Sequence, residues 1–160
     1  VFTLDRFITF KEVLENVLKE FDFVILDRYV GSNLIHQSAK FEPKSVEQSE
    51  YINYWSDFEF NKLGLPKPDM TIMLDMPVDI GKKISKDRKN KITNSSKQDI
   101  HESNDAYMYK AYSTATQIAL IFNWEIINCY KKTIFRGEVP RKIDDISIDI
   151  FNLVWNKFIL

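Results

Sequence analysis

Apolar residues recur at helical spacing over much of the chain and form short unbroken runs elsewhere. Residues three and four apart share one face of a helix, whereas a short continuous apolar run is typical of a parallel strand covered on both sides. The pattern predicts helices at 3–21, from about Ser32, at 45–63, from Pro77, at 99–123 and at 146–160. It predicts strands at 23–26, 70–75 and 124–129.

Helices and strands alternate along the chain, which is typical of an α/β fold built on a parallel sheet. Ligands of such sheets bind beyond the carboxyl ends of the strands. The strand predicted at 23–26 runs directly into Asp27 and Arg28, and the strand predicted at 70–75 ends in aspartate. We therefore expect the polar residues that follow the first strand to face a ligand.

The segment 86–98 has no hydrophobic period and is rich in lysine and arginine. A run of charge is most often a solvated surface loop, and that interpretation stays open. The alternative is a lid, which closes over an anionic ligand, excludes water and brings cations to its charge. Arg88, Lys91 and Lys97 are the lid candidates, and Arg88 is the one favoured for a catalytic role.

Length, charge and cysteine usage restrict the class of protein. The 160 residues fit one domain, and 44% of them are hydrophobic, which is enough for a packed core. A formal charge of −1 gives no general attraction to nucleic acid or membrane surfaces, so we expect neither as a partner. Cys129 is the only cysteine, which suits a reducing cytoplasm.

The sequence begins Val1-Phe2-Thr3, without methionine, and contains neither of the glycine-rich motifs that hold nucleotide phosphates. It therefore looks like a chain that starts inside a structural element. From these features we expect one domain, residues 1–160, that is incomplete at its N-terminus.

Four motifs, in order along the chain, resemble those of the thymidylate kinase family. FTLDRF at 2–7 resembles the family's phenylalanine and arginine, and LDRYVGSN at 26–33 resembles its aspartate-arginine-tyrosine motif. LPKPDMTIMLDMP at 65–77 resembles its turn, strand and aspartate-x-proline, and DIHE at 99–102 resembles the acidic pair after its lid. Together the motifs extend over most of the chain.

The resemblance implies a three-layer α/β fold of the P-loop kinase type, with parallel strands in the order 2-3-1-4-5. The three predicted strands would be the third, fourth and fifth of that sheet. Since the first strand lies between the third and fourth in this order, residues 23–26 and 70–75 would lack the neighbour between them. We expect another segment to fill this gap, and we expect the 160 residues alone to be inactive.

The resemblance also implies transfer of the ATP γ-phosphate to dTMP, with Mg²⁺ as cofactor. Glu102 would contact the metal, either directly or through a water molecule. Two alternatives stay open: a deoxynucleoside kinase of related fold, and a non-catalytic nucleotide-binding remnant without the phosphate loop. Because related enzymes are commonly homodimers, we expect a cytoplasmic homodimer.

By the same resemblance, Arg28 would grip the dTMP phosphate, which suits a guanidinium because it donates two parallel hydrogen bonds. Asp27 would act beside the metal and the transferring group, and a purely structural Asp27–Arg28 ion pair is the alternative. Phe2 would stack on thymine and Arg6 would donate to its carbonyl, since residues four apart on a helix can address one ligand. The alternative places Phe2 in the core and Arg6 in solvent.

Further substrate contacts are expected on the helix after the motif. Ser32, Asn33 and Gln37 would read the pyrimidine edge and support the phosphate side, although serine and asparagine are also favoured helix caps. His36 and His101 stand where many family members carry an aromatic residue, and an imidazole can still stack or form hydrogen bonds. Two ordinary surface histidines are the alternative.

Overall fold

The computed structural model describes residues 1–86, 105–135 and 137–160. Its helices are α1 (Phe2–Thr9), α2 (Glu15–Glu20), α3 (Val30–Ser38), α4 (Val46–Asp57), α5 (Val78–Lys86), α6 (Asp105–Ile121) and α7 (Ile143–Phe158). Its strands are β1 (Ile72–Asp75), β2 (Glu125–Asn128), β3 (Tyr130–Thr133) and β4 (Gly137–Pro140), and two π-helical turns span Phe10–Leu14 and Phe58–Lys62. In the part of the chain that is described, no helix has both the length and the apolar character of a membrane span.

The hydrophobic periodicity located the helices well. The helix predicted at 3–21 is formed by α1, the first π-helical turn and α2, and the helix predicted at 45–63 by α4 and the second π-helical turn. The last helix begins at Ile143, earlier than the predicted Ile146. Amphipathic helices are readable from sequence because their apolar stripe is a local property of the chain.

β1 and β2 form a parallel pair along their whole length. Backbone hydrogen bonds extend the pairing at both ends: the Glu125 N–H donates to the Thr71 carbonyl at 2.9 Å, and the Cys129 N–H donates to the Asp75 carbonyl at 2.8 Å. The predicted α/β class and the predicted strands at 70–75 and 124–129 are therefore confirmed. The five-strand order 2-3-1-4-5 stays a prediction.

Residues 23–26 do not form the predicted buried strand. They have no regular secondary structure, and the side chain of Ile25 is 94% exposed. A strand requires a neighbour to accept and donate its backbone hydrogen bonds, and no described segment pairs with this one. The apolar composition of 23–26 is typical of a strand, but the prediction that these residues form one is wrong.

The polar connection predicted at 130–145 contains an antiparallel hairpin, made by β3 and β4. Beyond the hairpin, the Arg141 guanidinium donates to the Asn128 carbonyl at 2.7 Å and to the Asp149 carboxylate at 2.6 Å. Arg141 therefore ties the end of β2 to α7. The hairpin strands carry few apolar residues, so their sequence lacks the alternation that would have predicted them.

The chain divides into two compact units. One comprises Val1–Asp69 with Ser113–Ile118, and the other comprises Met70–Tyr112 with Ala119–Leu160. The buried apolar side chains of the first unit are Phe10, Leu14, Val30, Leu34, Ala39, Ile52, Leu65 and Ile118. Those of the second are Val78, Ile80, Ala111, Ala119 and Cys129.

A buried glutamine joins three segments inside the first unit. The Gln48 amide nitrogen donates to the Ser38 carbonyl at 3.0 Å and to the Thr114 hydroxyl at 3.4 Å. Its amide oxygen accepts from the Lys44 N–H at 2.8 Å. Because Gln48, Ser38 and Thr114 are all buried, these bonds replace the water that each polar group would otherwise need.

Candidate functional site

The residues predicted to hold a phosphate lie in the turn between 23–26 and α3. Asp27 and Arg28 are both exposed, and neither pairs with any residue in the described part of the chain. The alternative of a structural Asp27–Arg28 ion pair is therefore not realised. The side chains are instead available to a ligand from solvent.

Arg28 also has an unusual backbone, with φ at +70°. A left-handed conformation costs a non-glycine residue about 1–2 kcal/mol, because Cβ crowds the carbonyl oxygen. Strain of this kind is tolerated at sites where the exact direction of a side chain matters. Here the strained residue carries an exposed guanidinium two residues before the first residue of α3.

α3 begins at Val30, and its N-cap residue is Tyr29, with no side chain capping the helix. Ser32 takes part in the start of the helix only through its backbone N–H, which donates to the Tyr29 carbonyl at 3.1 Å. The alternative in which Ser32 or Asn33 caps this helix is therefore wrong. Both side chains are half-buried and have no hydrogen-bond partner within the described residues.

One turn further along α3, His36 is exposed and Gln37 is half-buried. The Gln37 amide oxygen accepts from the Lys40 ammonium at 2.7 Å, which leaves its two N–H donors for another acceptor. Since residues four apart lie on the same face of a helix, Ser32 aligns with His36 and Asn33 with Gln37. The structure thus brings these four predicted residues together on one helix.

Arg6 holds a buried carboxylate on the second π-helical turn. Its Nε donates to Glu59 Oε2 at 2.8 Å, its Nη2 donates to Oε1 at 2.7 Å, and the Thr3 hydroxyl donates to Oε1 at 3.0 Å. Glu59 has no exposed surface, whereas the Arg6 side chain is 17% exposed. The alternative in which Arg6 is simply solvated is therefore wrong.

Phe2 lies one helical turn before Arg6 at the start of α1, and it is 63% exposed. The alternative that assigns Phe2 to the core is therefore wrong. An exposed aromatic ring on the same helix face as a fixed guanidinium is an arrangement that can bind a flat heterocycle by stacking and hydrogen bonding.

Tyr29 lies between the Arg6–Glu59 ion pair and the turn that carries Arg28. Its hydroxyl is buried and has no hydrogen-bond partner in the described part of the chain. Burial raises the pKa of Tyr29 above the ordinary 10.0, while the charge of Arg6 lowers it and that of Glu59 raises it. These interactions show that the residue next to Arg28 lies near the Arg6–Glu59 pair.

Glu59, Thr3 and the Tyr29 hydroxyl were not singled out from the sequence. Glu59 follows Trp55 by four residues and Tyr51 by eight, so it falls on the apolar stripe of the helix predicted at 45–63. A carboxylate in such a stripe must be paired when the stripe is buried. The place of Glu59 on this apolar stripe was therefore the one sign in the sequence that it has a partner.

The remaining predicted site residues lie outside the described residues: Arg88, Lys91, Lys97, His101 and Glu102. Their roles in a lid, at the sugar and at the metal stay predictions. Among the residues that are described, no three potential ligands cluster as a metal site.

In the second unit, Asp75 at the end of β1 accepts a hydrogen bond from the Tyr112 hydroxyl at 2.7 Å. Burial and this bond raise the pKa of Tyr112. The carboxylate at the end of β1 is therefore held in place by α6.

We expect Tyr29→Phe to leave the free energy of unfolding unchanged or to raise it by about 1 kcal/mol, because it removes a buried hydroxyl without a described partner. The pH dependence should change as well. An unfolded tyrosine ionises near pH 10, whereas the raised pKa keeps folded Tyr29 protonated to higher pH. Above about pH 10 the unfolded state binds fewer protons, so wild-type stability falls as pH rises, and the variant should fall less steeply.

Urea unfolding of the full-length protein at several pH values from about 7 to about 11 measures both effects. Tyr54→Phe is the matched control, because Tyr54 is exposed. A loss of more than about 1 kcal/mol at pH 7 in the Tyr29 variant alone would show that its hydroxyl has a partner.

Comparison with known proteins gives one consistent result. A family model described as "Thymidylate kinase" matches residues 1–134. The chain is 31% identical over 88 residues to the curated "Thymidylate kinase" of Mycobacterium tuberculosis, in both strain CDC 1551 / Oshkosh and strain ATCC 25618 / H37Rv. Each match includes 55% of this chain and 40% of the relative, so the matched segment spans well under half the length of those proteins.

Proposed function

Because the chain belongs to the thymidylate kinase family, we propose that its first unit forms the acceptor-binding site of an enzyme that transfers the ATP γ-phosphate to dTMP. The observation that carries this proposal is Arg28, an exposed, unpaired guanidinium on a left-handed backbone directly before the N-terminus of α3. The family membership supplies the reaction class, and Arg28 supplies the anchor for its acceptor.

The acceptor phosphate would lie between Arg28 and the first turn of α3. Arg28 can donate two parallel hydrogen bonds to phosphate oxygens. The N-terminus of α3 carries backbone N–H groups without a side-chain cap and a partial positive charge, and both favour an anion. Phosphoryl transfer depends mainly on alignment and charge neutralisation, and this arrangement can supply both for the acceptor.

The base of the acceptor would lie against Phe2 and Arg6. Phe2 offers an exposed ring for stacking, and the Arg6 guanidinium keeps donors that Glu59 does not use. Ser32, Asn33 and Gln37 on α3 offer further donors and acceptors for the edge of a pyrimidine. This set combines one aromatic face with directional polar groups, which suits a small planar ligand.

Magnesium fits the donor chemistry of the turn that carries Arg28. Mg²⁺ prefers one or two carboxylates together with water and phosphate oxygens, and Asp27 is an exposed carboxylate with no described partner. Asp27 would contact a water of the hydrated ion, and the metal contact expected at Glu102 is proposed from the family resemblance alone. When bound, the ion neutralises phosphate charge. We also propose a homodimer, because related enzymes are commonly homodimers, and a cytoplasmic location, because a single cysteine suits a reducing compartment.

Coupled ADP release by the full-length protein, with dTMP or thymidine as acceptor, tests the proposed function. We expect turnover with dTMP and none with thymidine, because Arg28 would have no phosphate to grip in the nucleoside. Turnover with thymidine alone would indicate a deoxynucleoside kinase. Binding of dTMP without turnover, measured by calorimetry, would indicate a non-catalytic protein.

A further inference from the structure

We propose that Glu59 is a positioning residue that orients Arg6 toward the carbonyl oxygen of the acceptor base, and thereby favours a keto pyrimidine over its amino counterpart. The inference rests on the proposed function, since it assumes that Arg6 contacts the base. Glu59 lies outside the four sequence motifs that resemble the thymidylate kinase family.

The geometry of the pair fixes the direction of the guanidinium. Glu59 takes the Nε and Nη2 donors of Arg6 through two separate oxygens, at 2.8 and 2.7 Å. Because a guanidinium is planar, holding one edge by two hydrogen bonds determines where its other edge points. Five N–H donors are present and two are used, so donors remain, and Nη1 has no acceptor among the described residues.

The carboxylate is itself held rigidly. The Thr3 hydroxyl donates to the same Oε1 that accepts from Arg6, and Glu59 has no exposed surface. Thr3 and Arg6 lie on α1, one turn apart, whereas Glu59 belongs to the second π-helical turn. Two residues of α1 therefore hold one carboxylate of an element that is distant in sequence.

Stability alone is a weak reason to bury this ion pair. Removing two charges from water costs energy that their attraction only partly repays, and well-packed apolar residues often serve equally well. The position of Glu59 in a π-helical turn, where the Leu63 N–H donates to the Phe58 carbonyl at 2.9 Å, points the same way. Single π-helical turns are found frequently at functional sites.

Tyr29 gives a third indication that the cluster serves a ligand. Its buried hydroxyl lies within the field of both Arg6 and Glu59 and yet has no described hydrogen-bond partner. An arginine, a carboxylate and an unsatisfied hydroxyl in one place form a polar group that a ligand with both donors and acceptors could complete.

The test compares two ligands that differ at one position of the base, dTMP and 5-methyl-dCMP, on the full-length protein. Glu59→Gln keeps the shape of the side chain but removes its charge and one acceptor. We expect its KM for dTMP to rise about tenfold while kcat stays within about twofold. The reason is that a poorly oriented Arg6 guanidinium loses its charged hydrogen bond to the base carbonyl. The inhibition constant of 5-methyl-dCMP should change by less than about twofold, so that the preference falls.

Asp57→Asn is the matched control, because Asp57 is an exposed carboxylate just before the same π-helical turn, and its preference should equal that of the wild type. If Glu59→Gln does not fold, Thr3→Val decides, with an expected loss of preference of about threefold. A folded Glu59 or Thr3 variant with unchanged preference would overturn the inference.

Arg6→Met separates this inference from the proposed function. If it abolishes the preference while Glu59→Gln does not, Arg6 reads the base without help from Glu59, and only the inference is lost. If Arg6→Met itself keeps the preference and the affinity for dTMP, the base site assigned under the proposed function is wrong.

Discussion

Arg28→Lys is expected to lower kcat/KM for dTMP by about 100-fold in the full-length protein, which coupled ADP release would measure. Lysine keeps the positive charge but offers a single ammonium in place of a planar fork, so the two parallel hydrogen bonds to phosphate are lost. Arg28 has no partner among the described residues, and therefore the free energy of unfolding should be unchanged. An activity loss without a stability loss is what distinguishes a ligand contact from a structural residue.

Lys44→Arg provides a matched control for this substitution. Lys44 is also an exposed cation on a left-handed backbone, with φ at +62°. Replacing one cation by the other at Lys44 tests whether a left-handed backbone alone makes activity sensitive to a lysine–arginine substitution. We expect unchanged kinetics for Lys44→Arg, and unchanged kinetics for Arg28→Lys would remove Arg28 from the site.

The helices could be predicted because their signal is local. On α3, Val30, Leu34 and Ser38 are buried at intervals of four residues, and the sequence alone places them on one face. The parallel pairing of β1 and β2 could also be predicted, since two apolar runs separated by helices are typical of such a sheet.

The segment 23–26 shows where local patterns stop being sufficient. Its composition favours a strand, but strand formation depends on a neighbour whose position the local sequence does not fix, and no described segment provides one. β3 and β4 present the opposite case, since a hairpin forms from residues with little apolar alternation. In both, hydrogen-bond partners decide the outcome and the side-chain pattern does not.

The candidate site divides in the same way. Sequence could nominate Arg6 and Arg28 because guanidinium groups suit the expected ligand and because their motifs resemble a family. It could not pair Arg6 with Glu59, which is 53 residues away, since many carboxylates in the chain were equally possible. The left-handed backbone of Arg28 was also not readable from sequence, because non-glycine residues adopt it only in particular tertiary surroundings.

Gln48→Glu is expected to lower the free energy of unfolding by about 3 kcal/mol at neutral pH. The substitution preserves the size of the side chain and the acceptor for the Lys44 N–H. However, it places a carboxylate oxygen against the Ser38 carbonyl, where the amide nitrogen now donates, in a fully buried position. Two acceptors would face each other without water, and a charge would be buried without a cation.

The loss should depend on pH in a direction that identifies its cause. Burial and the Ser38 carbonyl both favour the neutral acid, so the introduced carboxyl has a folded-state pKa above its unfolded value of about 4.3. Between these two values the folded state binds more protons, so stability falls as pH rises, and the deficit should shrink when pH is lowered from about 7 toward 5. Urea unfolding of the full-length protein at both pH values provides the measurement.

Asn53→Asp introduces the same charge at an exposed position of α4, and its effect should stay below about 0.5 kcal/mol. An equally small effect at Gln48 would mean that the Ser38 and Thr114 contacts do not hold α3 and α6 against α4, because a buried and fully bonded amide cannot be replaced by a carboxylate without cost.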